Sequence, residues 1–122
     1  MRLSPTKERV EMVAPKKTNL QTVEHGGVTL KDAFEAAQTD LRVMAKEGHS
    51  MTRPLGLVSG VLSSLPEGGD APILLAKDTC EAILERAHQA EDADFPELGE
   101  RLRGIVRTVS PVVAYAHGLL RV

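Results

Sequence analysis

Apolar and small residues fall at Phe34, Ala37, Leu41, Met44, Gly48, Met51, Leu55, Val58, Leu62 and Leu65, in steps that alternate between three and four. That spacing lays one stripe along a helix and matches the seam of a helical bundle. Thr29 followed by Asp32 resembles a capping box and places the helix start. The glycine- and proline-rich PEGGDAP, residues 66–72, ends the run. A second stripe, Ile73, Ala76, Cys80, Ile83, Ala87 and Ala90, stops at the acidic turn EDADFP. A third begins near Pro96 or Glu97 and runs through Leu98, Leu102, Ile105, Val109, Val112, Ala116 and Leu119. Pro111 lies inside it, where a kink is expected.

Three stripes of one period predict helices packed at shallow angles. The expected fold is all-α, a three- or four-helix bundle with long heptad-patterned helices, over residues 29–122. Residues 1–28 show no sustained period and hold Pro5, Pro15, Gly26 and Gly27 with five Lys/Arg and three Glu. They read as an extended or flexible N-terminal arm. Within it, the apolar pairs Val10/Met12 and Leu20/Val23 can pack on a neighbour.

One stretch, KEGHSMTRPLGLVSGVL at residues 46–62, admits two readings. In the first, Gly48 ends a helix as its C′ residue, Ser50 or Thr52 caps the next, and Pro54 sits in that helix's first turn. In the second, the helix runs through and kinks at Pro54. The stripe keeps its phase across the stretch, which favours continuity and places His49 on the outer side of one helix. That helix would be ~54 Å long at ~1.5 Å per residue, more than the shorter helices can cover, so a dimer or a larger assembly is expected.

Composition narrows the class. The chain has 122 residues, the size of one domain, and 42% are hydrophobic. The aromatics are Phe34, Phe95 and Tyr115 alone, and a core of Leu, Val, Ala and Met suits helices better than sheets. A net charge of -2 gives no footprint for nucleic acid. The single cysteine, Cys80, excludes an intrachain disulfide and favours a reducing compartment. No apolar segment reads as a signal peptide or a membrane span, so a cytoplasmic location is expected.

Residues 49–65, HSMTRPLGLVSGVLSSL, resemble the H-box of sensor histidine kinases. That box places a phosphoacceptor histidine on the first helix of a dimerising hairpin. It has an apolar residue two places on, Pro-Leu at five and six, an aliphatic at nine and often Gly at eleven. Met51, Pro54, Leu55, Val58 and Gly60 stand there in this chain. The last helix, RLRGIVRTVSPVVAYAHGLL, is similar to the second helix of such hairpins. The resemblance implies His49 as phosphoacceptor. The chain departs from the pattern at Ser50, where the family has an acid, and at Arg53, where it has Thr or Asn. Nothing after Leu65 resembles an ATP-binding domain.

Other candidates read as structural. Glu85-x-x-His88 has the spacing of a di-iron ligand pair, but such sites need two of these motifs, so no metal or cofactor is expected. Cys80 holds a core place, His117 suits a helix end and His25 a turn. Charge is segregated: residues 81–100 carry seven acids and one arginine, whereas Arg101, Arg103, Arg107 and Arg121 follow with no acid. That pattern means either pairing within the chain or a docking surface. Gly56-x-x-x-Gly60 marks a close helix approach or a homodimer seam.

The leading functional expectation is a small non-catalytic helical interaction or assembly module, an adaptor or a subunit of a larger complex. It would contact a protein partner or its own copies through Leu55, Val58, Gly60, Leu62, Arg101, Arg103 and Arg107, and neither nucleic acid nor membrane. The alternatives are a phosphotransfer-like or pseudo-phosphotransfer signalling module with His49 as acceptor, and a structural subunit of a particle.

Overall fold

The computed structural model describes Leu20 and residues 23–120. A two-residue turn at Gly26 and Gly27, both at positive φ, joins β1 (Glu24–His25) to β2 (Val28–Thr29) as an antiparallel hairpin, the geometry a Gly-Gly pair suits. Four helices follow: α1 (Leu30–Lys46), α2 (Thr52–Ser64), α3 (Asp70–Asp92) and α4 (Pro96–Leu120). A 3-10 turn, Leu65–Glu67, leads from α2 toward α3. Each helix packs on the next and α4 packs back on α1, the neighbour order of an up-down-up-down bundle with short connections. The all-α bundle class is therefore the observed one.

The start of α1 follows its sequence signal, since the Thr29 hydroxyl accepts the Asp32 amide at 3.0 Å and so satisfies one of the first-turn donors. Its end corrects the expectation of one long kinked helix. Gly48 adopts φ +104°, the Gly48 amide donates to the Ala45 carbonyl at 3.0 Å, and the His49 amide donates to Met44 at 3.1 Å. These two bonds form a Schellman motif. Continuity would have carried Pro54 inside a helix at ~3 kcal/mol and Gly48 at ~1 kcal/mol. With the break, Pro54 sits in the first turn of α2, where no intrahelical acceptor awaits an amide. The N-cap of α2 is Met51, with no side-chain cap, rather than Ser50 or Thr52.

Phase survives because α1 and α2 face one core. Phe34, Ala37, Leu41 and Met44 are buried on α1, Met51 in the connection, and Pro54, Val58 and Val61 on α2. On α2 the buried face keeps Val58 of the expected stripe and takes Pro54 and Val61 in place of Leu55 and Leu62, which are half-buried. On α3 the stripe holds with Thr79 and Ala82 added and Cys80 partly exposed; the Thr79 hydroxyl donates to the Leu75 carbonyl at 2.7 Å. On α4 it holds from Leu98 to Ala116, with Leu119 exposed, and the helix continues through Pro111.

The last residues of the stretch read as an arm contribute to the fold. Leu20 and Val23 are buried in the core, and the Leu30 amide donates to the Val23 carbonyl. Val10 and Met12 lie outside the described residues. Among the described residues no helix is long and apolar enough to cross a membrane.

Candidate functional site

Two helix ends meet at one end of the bundle and are built alike. The end of α3 repeats the motif at the end of α1. The Asp94 amide donates to the Glu91 carbonyl at 3.1 Å and the Phe95 amide to Ala90 at 2.8 Å. Asp94 takes the positive-φ place at +70°, which aspartate tolerates better than most residues. His49 and Phe95 are thus the same residue of two side-by-side Schellman motifs. Their rings touch edge to face, with centroids 5.2 Å apart and planes at 76°. The Arg101 guanidinium donates to Glu47 at 2.8 Å and ties the start of α4 to the end of α1.

Glu47, His49, Asp94, Phe95, Glu97 and Arg101 edge an open cavity of about 430 Å³. Phe95 remains 50% exposed there. Three carboxylates against one guanidinium make the cavity net negative. Asp94 and Glu97 have no ion-pair partner among the described residues. The sequence singles out His49 and Arg101 but not their meeting with Phe95, because the two turns lie 46 positions apart. The available signal was Phe95 itself, an aromatic inside an acidic turn with no place on any stripe.

The opposite end carries a second ring pair. His25 of β1 lies 5.2 Å from Tyr115 of α4 at an interplanar angle of 36°, and Tyr115 is 43% exposed. His25 does flank a turn, as its glycines imply.

The expected site residues are distributed otherwise. His49 stands in the α1–α2 connection rather than on a helix, unlike the layout implied by the H-box resemblance, and its partner is a phenylalanine ring. Val58 is fully buried and Leu55 and Leu62 pack against the core. A Cβ added at Gly60 would touch Leu75 of α3 at 3.8 Å. The α2 stripe is therefore spent inside the bundle: once the chain breaks at Gly48, α2 folds back against α1 and α3, and Val58 cannot serve as an external contact.

The arginines pair within the chain. Arg101 binds Glu47, Arg103 binds Glu91 through Nε at 3.0 Å and Nη2 at 2.9 Å, and Arg107 binds Glu100. The Arg103 hydrogen bond holds the Glu91 carboxyl below its ordinary range. Glu85 of the Glu-x-x-His motif faces Arg53 at 3.3 Å, while His88 lies near Arg103 and Glu91. Among the described residues no three His, Cys, Asp or Glu side chains are grouped to hold a metal ion. Burial, then the charge of Glu81, pushes the Cys80 thiol up. His117 sits in the last turn of α4.

Comparison with protein families, with curated proteins and with solved structures finds no match for this chain.

Proposed function

We propose that this chain is a small non-catalytic helical interaction module that assembles with copies of itself through the aromatic residues at the bundle ends. One observation carries the reading. The chain has three aromatic side chains, and two of them, Phe95 and Tyr115, are about half exposed and each packed against a histidine ring. Aromatic side chains are the usual anchors of protein interfaces. A ring already held by a neighbour and by a rigid turn gives up little rotamer freedom when a partner covers it. The pairing of the arginines within the chain supports the same assignment, because it leaves those aromatics as the more available contacts.

The test is light scattering of the full chain across a concentration series, alone and with Phe95→Ala or Tyr115→Ala. Association in the wild type, weakened by either substitution with helicity unchanged, supports the reading. A wild type that stays monomeric at millimolar concentration refutes it.

A further inference from the structure

Two hollows of opposite character adjoin along the paired turns. His49 and Asp94 edge the net-negative cavity, where Phe95 is half exposed. Their chain neighbours Ser50 and Ala93 edge a second hollow of about 550 Å³. Its floor is apolar, formed in part by the buried Pro54 and Ala82. Its wall carries two guanidiniums, Arg53 and Arg86. Arg53 is shared with Glu85 at 3.3 Å. Arg86 has no carboxylate within ion-pair distance among the described residues. Its Nε donates to the Ser50 carbonyl at 2.9 Å, which fixes the guanidinium and leaves its two terminal nitrogens without an acceptor among those residues. We propose that a second copy of this chain fills the hollow: Phe95 of each protomer enters the Pro54–Ala82 hollow of the other, and Arg86 of each meets Glu97 and Asp94 of the other, about a two-fold axis.

Three features select a second copy as the occupant. The surface joins a projecting ring to a recess, and carboxylates without partners to a guanidinium without one. A two-fold interface requires such a patch, because the same surface must serve as both sides of the contact. A hollow of this volume lies within the ~300–1,000 Å³ range that takes ligand-sized groups, and an aromatic side chain seated in a partner's pocket is the common form of an interface anchor. Guanidiniums beside that ring add cation–π attraction. A small cation would engage the acidic side alone and a small anion the basic side alone, whereas a second copy satisfies both at once. The inference rests on the reading of Phe95 as a contact residue and adds what that ring docks into.

The experiment is sedimentation equilibrium at low salt with the full chain, Arg86→Glu, Glu97→Arg and an equal mixture of the two variants, with helicity checked for each. The wild type is expected to stop at a dimer. Each variant alone should associate about fivefold more weakly or worse, since two surface ion pairs are lost at once. The mixture should recover wild-type association, because the heterodimer restores one pair in native and one in reversed order. Variants that associate like the wild type, a mixture no tighter than its components, or a wild type that grows into chains longer than dimers overturn the proposal. A second readout needs no substitution: in a mixture of 13C-labelled and unlabelled chains, isotope-filtered NOEs should join the Phe95 ring of one copy to the Ala82 methyl of the other, and their absence in a dimer overturns the docking. If the charge variants change nothing while Phe95→Ala still dissociates the dimer, this docking falls and the assembly reading stands. A wild type that stays monomeric overturns both.

Discussion

Gly48→Ala separates the broken helix from a continuous one by the sign of its effect. In the observed structure Gly48 sits at φ +104° in the Schellman turn, a conformation that L side chains rarely adopt. An added Cβ meets nothing within 4 Å, so no steric contact offsets or enlarges the backbone penalty. That penalty is about 1–3 kcal/mol, partly reduced by the smaller unfolded-state entropy of alanine. For a domain of this size it lowers Tm by roughly 5–15 °C. In a helix running through residue 48, the same substitution would raise stability by about 1 kcal/mol, because alanine is the better helix former. Thermal unfolding followed at 222 nm decides between them, with urea unfolding to check that the m-value is unchanged. Gly48→Asn is the internal control, since asparagine tolerates positive φ better and should lose less than alanine. A Gly48→Ala protein as stable as the wild type, or more so, refutes the turn.

Three further outcomes are expected. Val58→Ala should cost about 2 kcal/mol of chemical stability, because its side chain is fully buried; a change confined to association would return Val58 to an interface. The Glu91 carboxyl titrates below its ordinary range because Arg103 donates to it. The ion pair therefore stabilises the fold above the ordinary carboxylate range and loses that effect as pH falls through the folded value. Arg103→Ala should then be less stable than wild type at neutral pH, with the gap closing on acidification; a gap independent of pH contradicts the assignment. Cys80, partly buried beside Glu81 with its thiol pushed up, should react with iodoacetamide more slowly in the native chain than in urea at the same pH; equal rates would place it at the surface.

Much of the bundle is legible in the sequence, and the failures have physical causes. The Thr29 cap, the PEGGDAP break, the start at Pro96 and the core faces of α3 and α4 follow from local chemistry: capping, breakers and period. At Gly48 the unbroken phase points to continuity, yet the chain turns there. Two helices that share one core can carry one phase across a turn, and the cost of a buried proline outweighs that coincidence. The exchange of Leu55 and Leu62 for Pro54 and Val61 on the buried face of α2 has the same cause, because a helix that starts afresh at Thr52 need not keep the angular setting of α1. The hairpin had a signal in Gly26–Gly27 followed by the β-branched Val28 and Thr29, a pattern that suits a primed turn. For the His49–Phe95 contact the sequence marks Phe95 as an aromatic off every stripe but not its partner, because periodicity describes one helix at a time. Which helix ends lie side by side is set by the ring order of the bundle. The segregated charges admitted both pairing and docking, and Arg103 with Glu91 shows pairing across α3 and α4.

The claim that Phe95 is held out for contact rather than for folding is tested most directly by measuring Phe95→Ala twice on one preparation, by urea unfolding and by sedimentation equilibrium. A phenylalanine left 50% exposed should cost only about 1 kcal/mol of fold stability on truncation, while an interface anchor should weaken self-association by about fivefold or more. A variant that loses several kcal/mol of stability and associates like the wild type would contradict the account, since Phe95 would then belong to the core and not to a contact surface.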